Sequence, residues 1–237
     1  MTSPAKAARI DELLQKAQAA LKATKWFECE RLGQRALELA HNAGDFGRMR
    51  KSVLPLQESR RQRMQLATAL RGTKVKVLTE PLEEDHKLPQ GMFMLQPPLV
   101  GADARRVRLR ALQREVPSLV LCREPPTQLG LCPIVAIGLL TVRARIDAPE
   151  KPAAPTKEWF LWALEQLGDA AIGMIDTGID AVRQVDTCVC LLDAVPDHEQ
   201  LHTTLMSLCE QAEAEMREHP PESMPDAPPR ARQGSKG

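Results

Sequence analysis

The sequence predicts an α+β fold, mainly helical, with helical segments at both ends flanking a small mixed β/α domain. Three observations carry this. Apolar residues recur at helical spacing before residue 70 and again after residue 155. Between them lie short apolar runs of strand length bounded by Pro and Gly. Pro-rich stretches at 149–155 and beyond 219 punctuate the chain. The expected units are 1–71 (a helical hairpin plus a third helix), 72–150 (a small sheet domain), 151–217 (a helical segment) and 218–237 (a tail expected to be disordered).

The first helix, 7–24, carries Ile10, Leu13, Leu14, Ala17, Ala20 and Leu21 in one stripe. The second carries Cys29, Leu32, Ala36, Leu37 and Ala40. It ends at Asn42-Ala43-Gly44-Asp45, where Gly44 suits a left-handed cap and Asp45 can cap the next helix. A third helical stretch runs over 46–70. Pro55 inside it removes a backbone donor and clashes with the preceding turn, so a kink or split is expected there.

The segment from Lys25 to Leu39, with Cys29 and Ala36 at small-residue positions and Ala17 and Ala20 as their partners, resembles the second helix of a tetratricopeptide repeat. The likeness covers about 35 residues, one repeat. Small residues at the crossing are also what any tight helical hairpin requires. The resemblance implies a helical surface that captures a peptide or protein partner, and TPR-like helical segments at both ends of the chain. A repeat hairpin has an apolar face needing a neighbour, so the helices after 155 are expected to pack on those before 70.

After Gly72, Lys74-Val75-Lys76-Val77 alternates as a half-buried strand does, and 91–100, 118–123 and 131–146 contain further strand-like runs. The segment 102–115 reads best as a helix with Asp103 as N-cap and Pro117 as its stop, although Arg106 to Arg110 also alternates as a strand would. Strand, helix, strand implies a right-handed crossover between parallel strands. Pro125 to Gly130 reads as a hairpin turn. In the last helical segment Trp159, Trp162, Ala163, Leu167, Ala170 and Met174 form one stripe; Val182, Val185, Cys188, Val189 and Leu192 another; Leu201, Leu205 and Leu208 a third.

A net charge of +1 gives no long-range field toward nucleic acid or anionic lipid, and the absence of Tyr with only 4 Phe and 3 Trp removes stacking platforms. Neither a nucleic-acid nor a membrane partner is expected. No signal-peptide stretch is seen, a cytoplasmic location is expected, and the six cysteines are expected reduced and mostly buried. Oligomeric state is not readable from the sequence.

His198-Glu199-Gln200-Leu201-His202 matches H-E-x-x-H, in which two histidines one turn apart hold zinc and the glutamate activates bound water. Pro196-Asp197 precedes it, and Asp197 with Gln200 forms a D-x-x-Q capping box that places His198 in the first turn. The primary expectation is no catalytic residue, no metal and no cofactor, with both histidines at the polar boundary of the Leu201/Leu205/Leu208 stripe. The alternatives are a zinc hydrolase with His198 and His202 as ligands and Glu199 as base, or a different, tetrahedral metal site in which Cys188 and Cys190 join the two histidines. Arg106, Arg110 and Arg114 recur every four residues and are the candidate binding residues, a guanidinium stripe for phosphate or carboxylate or else a solvated face. Arg60-Arg61-Gln62-Arg63 invites the same reading at a helix C-terminus. No phosphate loop and no G-x-S-x-G elbow occurs. The function expected is therefore a non-catalytic interaction or scaffold protein, with a zinc hydrolase or an anion sensor as alternatives.

Overall fold

The structure, a computed structural model, describes residues 3–69, 72, 74–82, 88–128 and 130–218. The tail expected to be disordered lies almost wholly outside them. The fold is α+β and mainly helical. Helices α1 (Pro4–Lys22), α2 (Trp26–His41) and α3 (Phe46–Ala69) come first. Next are β1 (Val75–Leu78), β2 (Gly91–Leu95), α4 (Gly101–Gln113), β3 (Ser118–Arg123), β4 (Cys132–Ile137) and β5 (Thr141–Ile146). Helices α5 (Lys157–Ile172), α6 (Ala181–Ala194) and α7 (Glu199–Glu218) close the series.

Helix α1 begins at Pro4, whose missing N–H would have been unpaired in the first turn anyway. Ala17, Ala20 and Cys29 meet in a small cluster where α1 crosses α2, as close helix approach requires. Gly44 takes φ +61°, and Asp45 Oδ1 accepts the Arg48 backbone N–H at 3.0 Å, so the α2–α3 turn forms as its residues dictate. Pro55, by contrast, does not split α3, which is one helix of 24 residues. Its ring is buried, and the Cys29 thiol donates to its carbonyl at 3.4 Å, so packing against α2 outweighs the local cost.

The five strands lie in sequence order, with β1, β2 and β3 parallel and β4 and β5 antiparallel. Helix α4 makes the expected crossover between parallel β2 and β3. The run 91–100 is strand only to Leu95, since Pro97 and Pro98 have no backbone N–H for the ladder and α4 starts at Gly101. Asp103 is not the N-cap. The helix starts at Gly101, and Asp103 Oδ2 instead accepts the Val100 backbone N–H at 2.9 Å from the third helical position.

Period-two alternation assigns the two faces of the sheet to different neighbours. Phe93, Leu95, Cys122 and Val135 face Ala104, Val107 and Ala111 of α4. Met92, Met94, Leu119, Leu121, Ile134 and Val142 join the helices in one continuous core containing Ile10, Leu56, Phe160 and Leu205. Helix α7 runs antiparallel to α3, with Arg50 against Glu210 near one end and Arg63 against Asp197 near the other. The stripe expected on α5 holds in part: Ala163 and Leu167 are buried, together with Phe160 and Ala171, whereas Trp162 and Met174 are 39% and 44% exposed. All six cysteines are free thiols, five of them buried. Among the described residues no helix is long and apolar enough to cross a membrane.

Candidate functional site

The richest polar chemistry in the fold lies where α2, α3 and the start of α7 meet. On α2, Glu30 shares a face with Gly33 and Leu37; on α3, Arg60 and Arg63 share a face with Leu56 and Ala67. Helical spacing therefore carries three charged residues into the core, with Glu30, Arg60 and Arg63 only 6%, 6% and 4% exposed. Arg60 Nε donates to Glu30 Oε1 at 3.0 Å, its Nη2 to Gln34 Oε1 at 3.2 Å, and its Nη1 to His202 Nε2 at 3.1 Å. Arg63 Nη2 donates to Glu30 Oε1 at 3.2 Å and Asp197 Oδ1 at 3.3 Å, and its Nε makes a close ion contact with Glu30 Oε2 at 2.6 Å without hydrogen-bond alignment. Its guanidinium also lies 5.5 Å from the centre of the Phe27 ring. Burial opposes ionisation of Glu30, but Arg63 and Arg60 outweigh it and hold the carboxyl below its ordinary range.

The histidines of the H-E-x-x-H motif are not boundary residues, for His198 and His202 are 3% and 1% exposed. An arginine cannot accept, so His202 Nε2 must, and Nδ1 donates to the His198 carbonyl at 2.9 Å. Both ring nitrogens are engaged and the ring is neutral. Burial, reinforced by the Arg60 charge and opposed by the His198 carbonyl, pushes its pKa down to about 3.

The depressed pKa sets a pH dependence of stability. The unfolded chain takes up this proton first, so His202's contribution is complete above pH ~6.5 and is lost as the pH falls from there toward 3, at about 1.4 kcal/mol per unit. Urea unfolding between pH 6.5 and 5 should show this slope, and His202→Asn should flatten it. An unchanged slope in the variant would remove His202 as its source.

His198 precedes the helix instead of occupying its first turn. Asp197 turns to Arg63, and α7 begins at Glu199. His198 Nε2 faces Glu165 Oε2 at 3.2 Å and Asp169 Oδ1 at 3.6 Å on α5, with its ring against Gly168, where no side chain would fit. Glu199 is exposed on the surface, away from both buried rings. Cys188 lies under α7 with its Sγ 3.7 Å from the Leu201 carbonyl, and burial pushes its thiol up to about 12; burial also raises Cys190. Among the described residues no three His, Cys, Asp or Glu side chains converge as metal ligands. The spacing one turn apart that suggests a zinc pair is spent here on burying one imidazole beside an arginine and the other beside carboxylates.

Arg106 and Arg110 on α4 and Arg114 at its C-terminal cap line one groove with Leu78, Leu95 and Val107. Arg106 is highly exposed and pairs with Asp103 Oδ1 at 3.1 Å, while Arg110 Nη1 reaches the Leu82 carbonyl at 3.4 Å. The Arg60–Arg63 run is not a surface face: α3 continues past it to Ala69, and only Arg61 among its arginines is exposed, paired with Glu58.

Arg108, half-buried, is an arginine of α4 that the stripe reading passes over. Strands β3 and β4 pair only at Cys122–Val135 and Arg123–Ile134, leaving the Ser118 end of β3 apart from the Ile137 end of β4. At this open end Gly138 packs on the backbone of Ala194, and Arg108 Nη2 donates to the Asp193 carbonyl at 2.7 Å, satisfying the C-terminus of α6. Arg108 and His198 line a cavity of about 40 Å³ behind that contact. The legible signal for this region was charge at core spacing in Glu30, Arg60 and Arg63; nothing in the local sequence distinguished Arg108 from its neighbours. Comparison with protein-family models, curated proteins and solved structures finds no match to this chain.

Proposed function

We propose that the protein is a non-catalytic interaction module whose TPR-like helical face captures a peptide segment of a protein partner. The observation that carries this reading is a groove of about 400 Å³ between α1 and α3, with Leu54 59% exposed at its wall. Leu21, Gln18, Gln57 and Glu199 line it with Leu54. An exposed leucine in a concave site gains by burial against a partner, and glutamines beside it give an extended peptide hydrogen-bonding positions. The matching occupant is an amphipathic peptide with an aliphatic or aromatic anchor for Leu21 and Leu54 and a basic group toward Glu199. The polar cluster beneath supports a non-catalytic role, because Glu30, Arg60, Arg63 and His202 bind one another and leave His202 no free ring nitrogen.

Affinity capture with the intact chain, followed by titration of the purified partner, tests the reading. Leu54→Glu should weaken binding by about tenfold or more. Leu139→Glu, at a leucine 69% exposed in the β4–β5 turn, should bind as the parent chain does. Equal binding by all three would discard the groove.

A further inference from the structure

Strand β5 is the last strand of the sheet and, among the described residues, pairs only with β4. In an antiparallel ladder, opposite residues either exchange both backbone bonds or turn both groups away from each other. Pro133 gives its carbonyl to the Glu124 N–H at 2.8 Å, on the β3 side, so its opposite number Arg145 turns its N–H and carbonyl away from β4. Steps of two residues place Arg143 and Thr141 in the same outward row, and the Gly138 N–H donating to the Leu140 carbonyl at 2.9 Å fixes the alternate row as the paired one. None of the three has a backbone partner among the described residues. The chain itself reaches this edge once, two residues beyond Arg145, where the Trp159 indole Nε1 donates to the Asp147 carbonyl at 3.1 Å. That bond marks the end of the unpaired stretch.

The side chains of Thr141, Arg143 and Arg145 are exposed and stand on the α4 face of the sheet, opposite Ile137, Val135 and Pro133. Arg143, 58% exposed, makes one ion pair, with Glu124 Oε1 at 3.2 Å, and Arg145 makes none among the described residues. The other face of β5 is apolar: Val142 and Ile146 are buried and Ala144 is half-buried. An outward row of backbone donors and acceptors flanked by two guanidiniums is matched by an extended chain bearing carboxylates at alternate positions. A second copy is a poor match, because antiparallel pairing of β5 with itself would set arginines against arginines, the device by which charged edges avoid their like.

We propose that the β5 edge binds an extended acidic segment of a partner protein, added to the five-stranded sheet as a further strand. Its carboxylates would face Arg143 and Arg145, with small apolar residues beside Ala144. Backbone bonds recognise the extended chain, and the arginines select its charge. The edge lies on the sheet, apart from the α1–α3 groove, and its occupancy does not depend on the function proposed for that groove.

Fluorescence anisotropy of a labelled, end-blocked heptapeptide alternating glutamate and valine, titrated with the full chain, tests the site. Saturable binding is expected, and the same peptide with lysine in place of glutamate should not bind. Arg145→Glu should weaken binding at least about tenfold, whereas Leu54→Glu in the groove should bind as the parent chain does; circular dichroism establishes that each variant is folded. N-methylation of alternate peptide amides separates strand addition from plain charge attraction, since one alternating set should abolish binding and the other should leave it. The proposal is overturned by non-saturable binding to the parent chain, by equal binding of the lysine peptide, by unchanged binding in Arg145→Glu, or by the two methylated peptides behaving alike. A loss in Leu54→Glu as large as that in Arg145→Glu would overturn it too, as would a dimer in sedimentation that the peptide dissociates, which assigns the edge to a second copy.

Discussion

Glu30→Gln is expected to destabilise the folded chain by about 3–5 kcal/mol, because it leaves two buried guanidiniums without their shared carboxylate. The amide keeps the shape and one acceptor oxygen but loses the charge. Arg60 must then either remain buried uncompensated or withdraw from His202, which would take the contact between α3 and α7 with it. Urea denaturation followed by helical circular dichroism measures the change. Glu12→Gln provides the contrast: Glu12 bonds Arg9 and Lys16 on the surface of α1, so its midpoint should barely move. If the two variants unfold at similar urea concentrations, the buried cluster does not hold α2, α3 and α7 together.

Gly168→Ala should cost about 3 kcal/mol, at the upper end of what overpacking usually exacts. A Cβ at this position of α5 would stand 2.1 Å from Cγ and 2.5 Å from Nδ1 of His198. The ring cannot move far, since it is buried between α5 and the start of α7. The double variant Gly168→Ala/His198→Ala removes the clash and should recover part of the loss, giving a coupling of about 1 kcal/mol or more in a double-mutant cycle. Additive losses would show that the two residues do not press on each other.

These two sites illustrate how far one-dimensional reading reaches. The stripe of Ile10, Leu13, Leu14, Ala17, Ala20 and Leu21 on α1 is legible because each is set by spacing within one helix; the first five are buried and Leu21 is half-buried. The same holds for the Gly44–Asp45 turn, where backbone chemistry is local. Periodicity misled on α5 because tryptophans were given the core side. Trp159 instead lies partly buried with its indole Nε1 donating to the Asp147 carbonyl at 3.1 Å, and Phe160 is the core residue. At Pro55 a local steric rule was weighed without the α2 packing, and the helix runs on through it as one element.

The sequence by itself determined the order and type of the elements, the parallel crossover through α4, and the helical segments on either side of the sheet, since these depend on spacings and breakers within a few turns. It also placed Arg106 and Arg110 on one side of a helix, with Arg114 at its C-terminal cap. Only the tertiary structure decided that His198 and His202 face different partners, carboxylates of α5 for one and Arg60 for the other. It alone drew Glu30, Arg60 and Arg63 into a buried cluster, and brought Arg108 to a cavity shared with a histidine 90 positions later in the chain. Partners so distant in sequence leave no periodic trace. The cost of burying a charge depends on what the fold places beside it, and that is settled only when helices and sheet share one core.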